Sequence, residues 1–267
     1  MSKRPEDLDQ RDYVQSLERG LSVILAFADH HPALTLSEIA SAAGLSRPTA
    51  RRLLLTLEAL GYVRSDHRSF SLTPRVLALG YAYLNSLDLT AIAQPILEHI
   101  VAGAQEACTL STLDGTEVVY VNRLATRRVA SLAFAVGTRQ PAYTSAMGHV
   151  MLADLPPADL RRYLDRAEFV PHTPHTIRSE EALVERLAEV RERGWAKVDQ
   201  ELEAGVRSIA VPVRGSDGRV LAALGMSSIS SRMDALIEKG LPLLLEGAAE
   251  INARLGSEFL SRTRSAR

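Results

Sequence analysis

Between residues 41 and 75 the chain carries six arginines (Arg47, Arg51, Arg52, Arg64, Arg68 and Arg75) against two carboxylates, Glu58 and Asp66. A guanidinium is a planar fork that fits phosphate oxygens and the edge of guanine, so arginines gathered on one surface are chemistry for a nucleic acid. The whole chain hides this surplus: 31 Lys and Arg against 32 Asp and Glu leave a net charge of −1 over 267 residues. The local excess of +4 fits a contact of limited extent, and it is also what a solvated helix face would carry. The element that presents the arginines decides between the two.

Two further groups of residues resemble binding rather than catalytic machinery. Tyr143-Thr144-Ser145-Ala146-Met147-Gly148 sets small and hydroxyl-bearing residues just ahead of a helical pattern, where backbone N–H groups can receive an anion. Asp199-Gln200-Glu201, Gly205-Val206-Arg207-Ser208 and Ser227-Ser228 put polar groups at the ends of strand-like runs. A pocket needs such groups to converge on an apolar lining, although turn and cap chemistry accounts for them equally well. Catalysis finds no comparable set: G-x-S-x-G, a Walker loop, G-x-G-x-x-G and H-E-x-x-H are all missing. His172-Thr173-Pro174-His175 lacks a third ligand at useful spacing, and His30-His31 fall at a helix end, so no metal and no cofactor are expected. Cys108, the single cysteine, reads as a small buried hydrophobe and excludes an intramolecular disulfide. With 5 Phe, 7 Tyr and 1 Trp, an aromatic platform for single strands is a poor fit. No apolar run reaches about 18 residues and Met1 to Asp7 has no apolar core, so no membrane partner and a cytoplasmic location are expected.

Ahead of the arginines, Val14, Leu17, Leu21, Ile24, Leu25 and Ala28 recur at three and four residues, which predicts an amphipathic helix running to His30-His31-Pro32. Thr35 and Glu38 form a capping box, flanked by Leu34 and Ile39 as a hydrophobic staple, and Gly44 ends that second helix. Ser46 caps a third helix, with Pro48 in its first turn, that runs to Gly61. Its apolar face is Ala50, Leu53, Leu54, Leu57 and Leu60, which leaves Arg47, Thr49, Arg51 and Arg52 outward. Two capped helices joined by Ala43 to Ser46 are a helix-turn-helix, whose second helix reaches base edges with its N-terminal residues. Tyr62 to Ser65 and Ser69 to Leu72, turned at Asp66-His67-Arg68, predict a β-hairpin wing with basic residues near its tip. Ser46, Arg47, Thr49, Arg51 and Arg52, with Arg64, His67 and Arg68, are the expected contacts to double-stranded DNA.

Thr73-Pro74 starts a helical connector, and a further helix begins at Asp88 or Thr90 with Pro95 bending it or lying in its first turns. Asp114-Gly115 between β-prone runs predicts a hairpin, and Val129 to Ala135 a third strand. Helices are expected over 148–153, 158–166 and from a Ser179 cap to Gly194, and strands at Trp195–Asp199, Ser208–Val213 and Val220–Ser227. Helical spacing from Met233 to Leu255, interrupted by Pro242, closes an α+β domain with an antiparallel sheet. The expected organisation is a winged helix-turn-helix over 12–73, a linker helix over 74–90, an effector-binding domain over 91–258, and flexible tails at 1–11 and 259–267.

The chain resembles the IclR family of bacterial transcriptional regulators over nearly its whole length. Within it, the chain is most similar to the branch typified by PcaR, PcaU and PobR, regulators of aromatic-acid catabolism through the β-ketoadipate pathway. The resemblance is carried by Val14 to Leu21, Leu53 to Val63, Leu72 to Leu77, Ser86 to Leu89, Pro171 to Thr176, Val198 to Glu203 and Gly205 to Val213. It implies a winged helix-turn-helix, a helical linker, a GAF-like effector domain, and homodimers that pair as homotetramers. It implies an effector pocket at Thr144, Ser145, Ala146, Met147 and Gly148, at Asp199 and at Ser208 and Ser227. Glu201, Arg207 and Gly225 join this candidate set. Gly225 stands where some relatives have serine and Ser208 where some have cysteine, which argues against the small α-keto acids of other branches. The branch implies protocatechuate, 4-hydroxybenzoate or β-ketoadipate as effector. Arg207 could pair with a carboxylate or serve a structural ion pair. The alternatives are a regulator of the same family tuned to another metabolite, or an enzyme with a fused regulatory domain, for which no nucleophile–base pair is present.

Overall fold

The structure, a computed structural model, describes residues 12–28, 33–66, 68–80, 89–125, 135–215, 217–229 and 231–265, the segment 257–265 by backbone alone. The chain divides into two compact units, Met1–Ser86 and Leu87–Arg267.

In the first unit α1 (Gln15–Leu25), α2 (Leu36–Ala42) and α3 (Arg47–Ala59) close on a small core of Val23, Phe27, Leu34, Ile39, Leu54, Leu57 and Val63. The start of α2 forms as its sequence dictates. Thr35 Oγ1 accepts from the Glu38 N–H while Glu38 Oε2 accepts from the Thr35 N–H at 2.7 Å, and Leu34 and Ile39 are both buried. Gly44 follows α2 at φ +65°, and Ser46 Oγ caps α3 by accepting from the Thr49 N–H. A three-stranded antiparallel sheet completes the unit, in the order β1 (Leu34–Thr35), β3 (Ser69–Leu72), β2 (Val63–Asp66). The hairpin pairs Asp66 with Ser69, so its turn is two residues long; His67 in that turn lies outside the described residues.

Helix α1 is shorter than expected. It ends at Leu25, ahead of His30-His31-Pro32, of which nothing is described. Its apolar stripe is turned to solvent, with Val14 60%, Leu17 64%, Leu21 48% and Leu25 69% exposed, while Val23 and Phe27 enter the core. The unit is too small to cover two faces of one helix, and the residues that meet Ile39 and Leu54 take the core. Leu60, expected on the buried face of α3, is half exposed for the same reason.

The second unit is a six-stranded, wholly antiparallel sheet in the order β6-β5-β4-β9-β8-β7. Its strands are β4 (Ala107–Asp114), β5 (Glu117–Leu124), β6 (Arg139–Pro141), β7 (Ala196–Asp199), β8 (Arg207–Arg214) and β9 (Val220–Ser228). Helices α4 (Leu89–Ala104) and α8 (Met233–Ser265) cover one face, where Gly247 lies against Ile96, Ile100 and Leu224 and Gly240 against Met226. Helix α5 (Ala146–Asp154) covers the other face, with α7 (Glu180–Arg193) packed on it and α6 (Pro157–Leu164) between them in sequence. The Asp114-Gly115 hairpin forms with Gly115 at φ +62°, and Ser179 and Gly194 bound α7. The strand expected from Val129 falls outside the described residues up to 134, and Ala135 is not in a strand; the strand that pairs with β5 here is β6. Pro242 interrupts nothing: α8 runs through it and on to Ser265, past the point where a tail was expected, just as Pro95 lies inside α4. Among the described residues no helix is long and apolar enough to cross a membrane.

Helix α5 is buried from Ala146 to Ala153. A Cβ on Gly148 would run into the backbone carbonyl of Ala142, whereas one on Gly225 would meet the flexible Met147 side chain at 2.6 Å. His149 is fully buried and donates through Nε2 to the Tyr143 carbonyl at 2.7 Å, while its Nδ1 has no partner among the described residues. Burial pushes its pKa down to about 4, opposed by that carbonyl and reinforced by the charges of Arg186 and Arg193.

Gly148→Ala should destabilise the protein by about 3 kcal/mol or more, because backbone must move, while Gly225→Ala should cost about 1 kcal/mol; equal changes in Tm would refute the distinction. Because His149 binds its proton less tightly when folded (about 4) than when unfolded (6.5), the unfolded chain protonates first. Stability is therefore complete above about pH 6.5 and declines as pH falls towards 4, by on the order of 3 kcal/mol. Urea unfolding at pH 7.5 and pH 4.5 should give a steeper loss for the wild type than for His149→Leu, and parallel losses would disprove the assignment.

Candidate functional site

On the first unit, Arg47, Arg51 and Arg52 stand on the exposed side of α3, opposite Ala50, Leu54 and Leu57 in the core. Thr49 is half buried, and the Ser46 and Thr49 hydroxyls lie 2.9 Å apart within the cap, so Ser46 also sets where the helix starts. The wing is tied to α3 through Glu58, whose Oε1 accepts from both the Ser65 N–H and the Ser65 hydroxyl. Arg64 projects from β2 and donates through Nε to Ser71 Oγ at 2.9 Å, and Arg68 is exposed beside the turn. Arg75 lies 5.4 Å over the Tyr62 ring, a cation–π contact that joins the end of the wing to the base of α3. The unit thus presents the first turns of α3 and one edge of a hairpin as basic surfaces, with the carboxylate of Glu58 bonded to Ser65 between them.

In the second unit a cavity of about 570 Å³, its open mouth included, lies between the sheet and the start of α5. Of the residues singled out by sequence, Thr144, Ser145, Met147, Ser208, Gly225 and Ser227 line it. The β8–β9 register sets Ser208 opposite Ser227 and Ala210 opposite Gly225, so small and hydroxyl residues share one face of the sheet. Ala146 and Gly148 are buried behind the lining. Asp199 and Arg207 pair across the ends of β7 and β8, with Arg207 Nε 3.0 Å from Asp199 Oδ1, and neither lines the cavity. Glu201 is also set back. Its Oε1 accepts from Arg186 NH1 at 2.8 Å while Oε2 has no partner among the described residues. Burial raises its carboxyl above the ordinary range against the pull of Arg186.

Sequence reasoning passed over Thr109, Tyr120 and Gln140, and over Leu202, Glu203 and Val206 from the loop between β7 and β8. The first three were accessible from register: Thr109 pairs with Gly225, and Tyr120 reaches the same face across the bulge at Leu110/Ser111. The Tyr120 hydroxyl donates to Gln140 Oε1 at 3.1 Å. The Pro171–Thr176 segment, whose histidines invited a metal reading, is instead a clasp for the β7–β8 loop. Thr173 Oγ1 donates to the Gln200 carbonyl and Thr176 Oγ1 to the Glu201 carbonyl, each at 2.6 Å. Among the described residues no three His, Cys, Asp or Glu gather as a metal site. Cys108 is fully buried, and burial raises its thiol to about 12, so it is an inert core residue.

Residues 16–67 match the IclR helix-turn-helix domain, and residues 81–252 match the C-terminal domain of the bacterial transcriptional regulator IclR. The chain is 42% identical over 243 residues to the Pca regulon regulatory protein of Pseudomonas putida, covering 90% of this chain and 84% of that protein. Among solved structures, a transcriptional regulator from Rhodococcus sp. RHA1 superimposes with a TM-score of 0.81 at 43% identity, over 92% of this chain and 99% of that one. An IclR homologue from Microbacterium hydrocarbonoxydans, solved in complex with 4-hydroxybenzoate, gives a TM-score of 0.80 at 27% identity over 91% and 99% of the two chains. With both halves matched in order and relatives of this similarity along its length, the chain belongs to the IclR family of bacterial transcriptional regulators.

Proposed function

We propose that this regulator binds operator DNA and that a small aromatic acid, of the protocatechuate or 4-hydroxybenzoate class, occupies the cavity and alters that binding, as part of the control of aromatic-acid catabolism. The observation that carries the effector reading is the convergence of Thr144, Ser145, Ser208, Ser227, Tyr120 and Gln140 with Met147 and Val206 on one space. Hydroxyls and an amide there orient a ligand whose ring the aliphatic walls receive. A relative of the same fold was solved with 4-hydroxybenzoate, which supports that class. Ser46, Arg47, Thr49, Arg51 and Arg52 would enter the major groove, with Arg64, His67 and Arg68 holding the backbone. The domain bounds that go with this reading are 12–73, 74–90 and 91–258, in a cytoplasmic protein. It acts as a homodimer, which can pair further: the exposed stripe of Val14, Leu17, Leu21 and Leu25 is apolar surface of the kind a second copy covers. Effector and operator are coupled to the extent that the ligand prefers one arrangement of the paired subunits.

Gel shifts on the operator region, run with and without 4-hydroxybenzoate, test this directly. Arg51→Ala or Arg52→Ala should cost about 1–3 kcal/mol in operator affinity, and wild-type binding should weaken steeply with salt. Unchanged affinity in both variants would remove α3 from the groove, and operator binding indifferent to every aromatic acid tried would remove the effector assignment. Leu17→Asp should shift the sedimentation of the protein from dimer toward monomer; an unaffected dimer would place its interface elsewhere.

A further inference from the structure

The start of α5 and the middle of the sheet meet across one soft side chain. Gly225 lies inside β9, paired with Thr109 of β4 on one side and with Ala210 of β8 on the other, so its backbone is held from both edges. The helix opposite is held as firmly. Ser145 caps the Gly148 N–H, Gly148 rests on the Ala142 carbonyl, and Ala146 and His149 are fully buried. Met147 comes from that helix start and lies on Gly225. A Cβ at position 225 would stand 2.6 Å from Met147 Cγ and 2.9 Å from its Sδ. The thioether therefore occupies the place that a side chain at 225 would take.

Both residues line the cavity. With strand and helix fixed, a methyl group added at 225 moves neither backbone; it moves the Met147 side chain. Away from the cavity Met147 belongs to a core cluster with Ala146, Val150, Ala210 and Ala223. A close-packed interior of this kind has no room for a displaced side chain. The cavity is the open side, so the thioether turns into it, where the ring of an aromatic acid is to lie.

We propose that Gly225 and Met147 together form the gauge that admits an aromatic ring. The bare backbone at 225 keeps the thioether flat against the sheet, and the flattened thioether is the surface on which the ring rests. The proposal rests on the aromatic-acid reading of the cavity and names what fits that cavity to a ring. A thioether is polarizable and makes favourable contacts with aromatic rings. One methylene of misfit in an apolar pocket changes discrimination by roughly 10- to 200-fold, so a single Cβ at 225 is enough to decide.

The test is a double-mutant cycle on the full-length protein, read by calorimetric titration with 4-hydroxybenzoate. Gly225→Ala should weaken the acid by roughly 10- to 100-fold, and Met147→Ala by at most about tenfold, the range of a sulfur–aromatic contact. The double variant should bind as Met147→Ala does, because the added methyl group then has nothing to displace. In protein labelled with 13C at the methionine methyls, the Met147 signal is assigned by its absence from Met147→Leu, a volume-conserving change. That signal should move when 4-hydroxybenzoate saturates the wild type, and should also move in ligand-free Gly225→Ala. Wild-type affinity in Gly225→Ala, losses that simply add in the double variant, or an unmoved Met147 methyl in ligand-free Gly225→Ala would each overturn the gauge while the aromatic-acid reading stands. If the wild type binds no aromatic acid, that reading fails and the gauge falls with it.

Discussion

The placement of α5 governs the second unit. From Ala146 to Ala153 each residue is buried, so the helix has no solvent side and is stable only where a sheet and a second helix close on it together. Its start is fixed to within one residue by Ser145, which caps the Gly148 N–H, and by Gly148 itself, which lets the turn lie directly on the Ala142 carbonyl. Thr144, Ser145 and Met147 owe their positions on the cavity wall to that start. The same confinement leaves His149 neutral: burial pushes its pKa down and two arginines reinforce the shift, while the carbonyl it donates to opposes it only in part.

The opposite wall of the cavity is a loop, and loops hold a shape only where their backbone is bonded. Gln200 sits at φ +62°, a conformation that costs a non-glycine residue about 1 kcal/mol or more. Its N–H donates to the Val206 carbonyl at 2.8 Å, its side-chain oxygen accepts from Gly205, and Thr173 and Thr176 take the carbonyls of Gln200 and Glu201 from outside. The partly buried Arg186–Glu201 pair ties the same loop to α7. A wall fixed at this many points presents Leu202, Glu203 and Val206 in one arrangement.

The elements that sequence made legible are those written in local chemistry. The capping box at Thr35 and Glu38, the Ser46 cap with Pro48, the Asp114-Gly115 turn and the Ser179 and Gly194 bounds of α7 each depend on a few adjacent residues, and each formed as read. What failed depended on distant partners. The period of α1 was legible, but not what its stripe meets: Ile24 packs on the core while Leu17, Leu21 and Leu25 face solvent. β6 is three residues long, and only its pairing with β5 makes it a strand. Pro242 remains helical because the buried residues beyond it, Leu244, Ala248 and Ile251, hold α8 in place and outweigh a lost hydrogen bond. The cavity was half legible for the same reason: Thr144, Ser145 and Met147 are contiguous, while Thr109 and Tyr120 join them only through the register across β4, β5 and β9.

Charge is distributed by the same logic. In the first unit Glu38 is committed to a helix cap and Glu58 to the wing, while Arg47, Arg51 and Arg52 point outward. In the second, Arg139 is paired with Asp114 and Glu117, Arg214 with Asp154, and Arg207 with Asp199, so these charges cancel within a few ångströms. A sum over the chain counts a carboxylate on one surface and a guanidinium on another as equal and opposite, but close to the first turns of α3 the guanidinium dominates the field, because charges more than about a Debye length away are screened. A protein with a net charge of −1 can therefore present a basic face to a polyanion, and the face is confined to the element whose opposite side is in the core.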